Sequence, residues 1–219
     1  MNVRFLSFHS LGWAFEVVAL LAGLIGTDAL AAQTIVLNTS SLAYCLPLGI
    51  SVAASTRIGN CLGSKLPKLA MISARVAMLL ALVIATFNSL TLIIIKENWG
   101  FFWTDDKKVV EIVSQILPLA ALFQFSDGIC AIGGGILRGC GKQKIGAIIN
   151  LCGYYILALP LGGFLAFQIA LGLTGLWLGL TSGLFAVSIV FMLIIYRIQW
   201  EREAEKAEAL ANHHPSHHS

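Results

Sequence analysis

Charge is scarce in this sequence. Only 11% of its 219 residues are Asp, Glu, Lys or Arg, against about 25% in soluble domains. No run of Lys or Arg supplies the electrostatic footprint of a nucleic-acid partner. Cysteine is sparse and unpaired in pattern. Cys45, Cys61, Cys130, Cys140 and Cys152 form no CxxC spacing and are odd in number, which reads as small apolar packing residues rather than disulfides or metal ligands. Neither HExxH nor GxSxG occurs, and GNCLGSK at Gly59–Lys65 lacks the spacing of a phosphate-binding loop. Asn38-Thr39-Ser40 fits a glycosylation acceptor but falls inside an apolar segment. No enzyme chemistry, metal or cofactor is therefore expected. A cleavable signal peptide is not expected either, since residues 1–10 are too polar and no A-x-A site follows.

What is present is apolar length. Hydrophobic residues make up 58% of the chain, and mean hydropathy is +0.84. A membrane-crossing helix needs about 20 mainly apolar residues. Six such spans are predicted at about 11–26, 31–58, 69–95, 109–137, 145–167 and 173–196. The fold class is thus all-α, a polytopic membrane protein, with a lead-in over 1–10 and a charged tail over 197–219. The short connections suit antiparallel neighbours.

The basic residues predict direction. With the N-terminus inside, Arg57, Lys65, Lys68, Arg138, Lys142 and Lys144 fall on the cytoplasmic side with Arg4, Arg75, Arg197, Arg202 and Lys206. Lys96, Lys107 and Lys108 fall outside, eleven against three. Both termini are then cytoplasmic. Trp99, Phe101, Phe102 and Trp103 match an outer aromatic belt, and Tyr196 and Trp200 an inner one. The tail RIQWEREAEKAEALAN is a helix former expected on or beyond the inner membrane face. The terminal HHPSHHS reads as a disordered end, with weak metal binding or an expression remnant as alternatives.

Two acids break the pattern. Glu16 and Asp127 each stand about ten residues inside a predicted span, about 15 Å deep at 1.5 Å per residue. An acid at that depth costs roughly 2.5–3.5 kcal/mol on insertion scales. No basic residue sits deep in any span to repay it. Two carboxyls facing one cavity suit binding and releasing a proton, or neutralising a cation. The competing reading is that each acid caps a backbone defect beside a proline or glycine. Asn38, Thr39, Ser40, Ser41, Gln124, Ser126, Asn150, Tyr154 and Tyr155 are further polar candidates, although helix–helix hydrogen bonds explain such residues too. Pro47, Pro118 and Pro160 can bend helices. Gly175, Gly179 and Gly183, like Gly135 and Gly139, recur four residues apart and predict close helix packing.

Several strings together resemble one family. GWAFEVVALLAGLIG, LNTSSLAYCLPLGISVAASTRIGNCLGS, WTDDKKVVE, ILPLAALFQFSDGICAIGGGILRGCGKQKIGAIINLCGYYILALPLG and GLTGLWLGLTSG occur in this order over about 12–205. They resemble the C-terminal half of eukaryotic multidrug and toxic compound extrusion (MATE) transporters. The resemblance implies one six-helix lobe of a two-lobed antiporter working by alternating access. It implies protons, rather than sodium, exchanged for organic cations, polar xenobiotics or metabolites. Glu16 and Asp127 match the lobe's two acids, and Asn150, Tyr154 and Tyr155 look like the same polar network, with Asn38 and Thr39 as candidates nearby. The expected partners are the lipid bilayer, a small organic cation, and a missing N-terminal lobe or a second copy. The expected location is a plasma or vacuolar membrane. Because the first lobe is missing, three explanations compete: a fragment, a half-size protein that dimerises, or an inactive product.

Overall fold

The computed structural model describes residues 3–213, with side chains described over 14–209. The lead-in's side chains and the histidine-rich end lie outside the described side chains. Six long helices and a tail helix follow one another: α1 (Val3–Ile25), α2 (Thr27–Gly63), α3 (Pro67–Trp99), α4 (Lys107–Gly139), α5 (Gln143–Gln168), α6 (Gly172–Tyr196) and α7 (Trp200–His213). No strand occurs among the described residues. Helices α2 to α6 are each long and apolar enough to cross a membrane, and Ala14–Ile25 of α1 is a shorter apolar stretch within the described side chains. Each predicted span falls inside one helix, apart from Gly26, which separates α1 from α2. This is an all-α, polytopic membrane fold.

Helix α4 is the hub. It packs against α2, α3 and α6, and its apolar residues are distributed all round, as in a helix enclosed by others. Its glycines set the distances. A Cβ at Gly133 would lie 3.1 Å from the Phe191 ring, and one at Gly139 would lie 2.8 Å from the Ser55 carbonyl. At Gly135 a Cβ would collide with that of Ser51. The pair Gly135 and Gly139 therefore seats α2 against α4, as their spacing predicts.

The same logic joins α5 to α6. Cβ atoms at Gly175, Gly179 and Gly183 would meet the backbone of Leu165–Ala166, Gly162 and Ala158 respectively. Helix α5 carries Pro160 between two widened π-helical segments, Gly153–Ala158 and Phe164–Gln168. Such segments re-pair backbone groups around a residue that has no N–H to give.

Helices α2 and α4 end with the same hydrogen-bond pattern. Leu66 N–H bonds Cys61 O and Lys65 N–H bonds Leu62 O. Lys142 N–H bonds Leu137 O and Gly141 N–H bonds Arg138 O. These Schellman pairs satisfy carbonyls the helix leaves open. Each needs a left-handed residue, which Lys65 (φ 58°) and Gly141 (φ 71°) provide. At the opposite end of α4, the Asp106 carboxylate accepts from Lys108 N–H at 2.9 Å and caps the helix.

The predicted belt aromatics gather at the end of α3. Trp99 stacks on Phe102 with centroids 5.8 Å apart, and Trp103 meets both edge-on. The tail does not simply leave the bundle. Helix α7 folds back along the ends of α2 and α3. Glu208 pairs with Lys65 at 2.5 Å, and Glu203 pairs with Lys142 at 3.0 Å and Lys206 at 3.1 Å.

Candidate functional site

Asp127 lies midway along α4, with 8% of its surface exposed. Gly128 beside it admits α2 and α3. A Cβ there would be 3.4 Å from the Ala85 methyl and 3.8 Å from the Pro47 ring. Asp127 thus sits on a stretch of α4 closely packed by α2 and α3 and is itself buried. Among the described residues it makes no ion pair and accepts no hydrogen bond. Tyr44 of α2, Cys130 one turn along α4 and Tyr154 of α5 lie within electrostatic reach of it. Three buried hydroxyl oxygens, those of Ser40, Ser126 and Tyr154, have no hydrogen-bond partner. A buried carboxyl without a counter-ion, near an unpartnered tyrosine hydroxyl, can hold a proton or receive a cation.

Aromatic rings build one wall. Phe15 of α1 meets Phe123 at 6.0 Å and Tyr154 at 6.2 Å, both edge-on, and Phe123 meets Trp177 at 5.6 Å. Phe15 therefore faces inward. Glu16, one residue on and about 100° round the helix, is exposed. The two sequence-predicted acids thus differ in setting: Asp127 is buried in the bundle and Glu16 stands on its surface.

The other predicted residues divide similarly. Tyr154 is buried beside Asp127's field, Tyr155 is exposed and Asn150 half-buried. Asn38 is exposed. Thr39 is buried but already engaged. Its hydroxyl donates to Ile35 O at 2.8 Å and accepts from Trp99 Nε1 at 2.7 Å, so it fixes the belt tryptophan to α2. Gln124 donates to Ser40 O at 2.5 Å, another α2–α4 tie.

Sequence reasoning overlooked Tyr44, Cys130 and the buried pair Gln33–Trp177, in which Trp177 Nε1 donates to Gln33 Oε1 at 2.8 Å. A glutamine early in one span and a tryptophan in another were the available signals. It also overlooked Glu203, whose side chain is buried. Burial alone would raise its pKa, but hydrogen bonds from Lys142 and Lys206 outweigh that and hold it below the ordinary carboxyl value. The neighbouring Cys140 thiol is pushed up to about 11, chiefly by its own burial and further by the Glu203 charge.

The MatE family profile matches residues 5–164. The chain belongs to the MatE family. Multidrug and toxin extrusion protein 1 of Homo sapiens is 36% identical over 200 residues, covering 91% of this chain and 35% of that protein. The crystal structure of the eukaryotic MATE transporter AtDTX14 superposes with a TM-score of 0.85 at 31% identity, covering 90% of this chain and 45% of that one. A transporter of the MOP superfamily from Pyrococcus furiosus shares the fold, with a TM-score of 0.80 at 16% identity over 89% of this chain and 43% of that one. This MatE chain spans about a third of the length of the human relative. The family profile ends before α6, and the superposition on AtDTX14 extends the likeness to 90% of the chain.

Proposed function

We propose that this MatE chain is a six-helix lobe of a proton-coupled antiporter that exports organic cations, xenobiotics or metabolites by alternating access. The observation that carries the reading is Asp127, buried within a membrane span with no counter-ion among the described residues. In this reading Asp127 holds a proton when substrate is absent and gives it up as a cation binds. Tyr154 and Tyr44 stand close enough to respond to that change of charge. Glu16, exposed on α1, meets substrate or the facing lobe and serves as the second proton carrier. Asn38, Asn150 and Tyr155 supply polar contacts around them. Both termini face the cytoplasm, and the membrane is the plasma or vacuolar one. The lobe acts beside an N-terminal lobe or a second copy.

The test is toxin-resistance complementation with the chain co-expressed with a partner lobe. Asp127→Asn is expected to abolish export and its pH dependence, and Glu16→Gln to weaken both. Wild-type export by both variants, with an unchanged pH profile, would defeat the reading. The same test separates a second reading, a membrane protein that does not transport. It predicts that no partner lobe restores resistance and that neither substitution changes any transport signal.

A further inference from the structure

We propose that the groove between the first turn of α3 and the first turn of α7 is a headgroup site for an anionic phospholipid. The groove has a volume of about 420 Å³ and is walled by Pro67, Met71 and Trp200. Lys68, Arg202 and Glu201 also line it. It lies where the α3 span begins at Pro67 and close after the α6 span ends at Tyr196. That is headgroup depth, where phospholipid phosphates are the anions at hand.

Charge complementarity selects the occupant. Among the neighbouring cations that do not line the groove, Lys65 pairs with Glu208, and Lys142 and Lys206 pair with Glu203. Lys68 and Arg202 form no ion pair or hydrogen bond among the described residues. An ammonium and a guanidinium lining one groove match a phosphodiester, the guanidinium offering two parallel N–H donors. Basic pockets between spans at this depth are suited to lipid headgroups. Glu201 adds a condition. It disfavours a bare multivalent anion and accepts a hydrogen bond, so it fits a headgroup that also carries hydroxyls.

The apolar surroundings favour a lipid over a soluble phosphate ester. Ile72 and Val76 follow Lys68 by one and two turns on the same face of α3, and both are half exposed. They continue the wall made by Met71 and provide a track for an acyl chain. Trp200 is half-buried against the groove, the placement an indole adopts at a membrane interface. The site is independent of any proton carried by Asp127, and its test requires no transport.

The test uses the whole chain in mild detergent, followed by native mass spectrometry. Dioctanoyl phosphatidylglycerol, dioctanoyl phosphatidylcholine and glycerol 3-phosphate are titrated separately. Phosphatidylglycerol is expected to remain bound, and the other two to bind at least about tenfold more weakly. Lys68→Ala with Arg202→Ala is expected to lower phosphatidylglycerol affinity about tenfold or more, since it removes both charged donors to the phosphate. Lys107→Ala with Lys108→Ala, at the start of α4, is expected to leave it unchanged. Lys68→Arg with Arg202→Lys is expected to restore most of it. Undiminished retention by the alanine pair, or equal binding of phosphatidylcholine, overturns the site. Equal binding of glycerol 3-phosphate overturns its assignment to a lipid. A photoactivatable phosphatidylglycerol on the wild-type chain gives a readout that depends on no variant folding. Crosslinks at 66–72 or 196–202 support the site, and crosslinks confined elsewhere overturn it.

Discussion

Arg138 Nη2 donates to Ser51 Oγ at 2.7 Å, and that hydroxyl donates onward to the Ala131 carbonyl at 2.5 Å. Ala131 stands one helical turn beyond Asp127, so this relay fixes the part of α4 that carries the acid to α2. Two substitutions separate its components. Ser51→Ala removes both interhelical bonds of the relay, and within membranes such bonds are each worth about 0.6 kcal/mol on average and about 1.7 at most. Gly135→Ala instead drives a methyl into the Ser51 carbonyl. Backbone cannot rotate away, so overpacking of about 1–3 kcal/mol is expected. Thermal unfolding in detergent should rank Gly135→Ala as the more damaging. The reverse order would mean that the hydroxyl relay, and not the close approach, holds α2 to α4.

The tail anchor should depend on pH. The native pKa of Glu203 is lowered because hydrogen bonds from Lys142 and Lys206 outweigh its burial. Its contribution is then complete above the ordinary carboxyl value of 4.5 and fades as the pH falls through the lower native value. Protection of the α7 amides, taken against the intrinsic exchange rate at each pH, should hold from about pH 8 down to that ordinary value and fall below it. Glu203→Gln should expose α7 at neutral pH, at a cost of about 1–3 kcal/mol, and should remove the acid-induced step. An acid step that survives in Glu203→Gln would assign it to another carboxylate.

Which way each acid faces was not legible in the sequence. The rise per residue places Glu16 and Asp127 at similar depths, but a helix apolar on every side carries no stripe to show which way one acid points. The structure supplies that information through Phe15, which turns inward on Phe123 and Tyr154 and leaves Glu16 exposed. The glycine spacings Gly135–Gly139 and Gly175–Gly179–Gly183 were readable because close backbone approach has a local signature. The burial of Glu203 was unreadable for the opposite reason. It is one of four acids in a polar tail, and only the docking of α7 against the distant Lys142 distinguishes it. Thr39 looked like a site candidate because nothing local shows that Trp99 occupies its hydroxyl.

Gln33 and Trp177 should behave as a coupled pair. Trp177 is fully buried and Gln33 is 1% exposed, while Gln33 Nε2 has no partner. Trp177→Phe strands the glutamine oxygen as well, and Gln33→Leu strands the indole N–H. Either alone is expected to cost about 1–3 kcal/mol. Gln33→Leu with Trp177→Phe removes every polar atom of the pair and should lose less than the two single losses added together. The double-mutant cycle in detergent unfolding measures this directly. Additive losses would show that the bond contributes nothing beyond packing.

The seam between α5 and α6 can be tested with two glycines of opposite expectation. At Gly179 a Cβ would collide with the Gly162 backbone and lie 2.9 Å from the Ala158 carbonyl, whereas at Gly163 it meets nothing within 4 Å. Gly179→Ala must push α6 away from α5 and is expected to cost about 1–3 kcal/mol. Gly163→Ala adds a methyl to open space in a helical backbone, where alanine is favoured over glycine by up to about 1 kcal/mol. It should leave thermal stability unchanged or raise it. The contrast also reaches the candidate site. Tyr154 belongs to α5, so a displaced seam moves its hydroxyl relative to Asp127. Tyrosine fluorescence or photoaffinity labelling around Tyr154 should therefore change in Gly179→Ala and not in Gly163→Ala. Equal stability of the two variants would mean that the seam yields without cost and does not position α5.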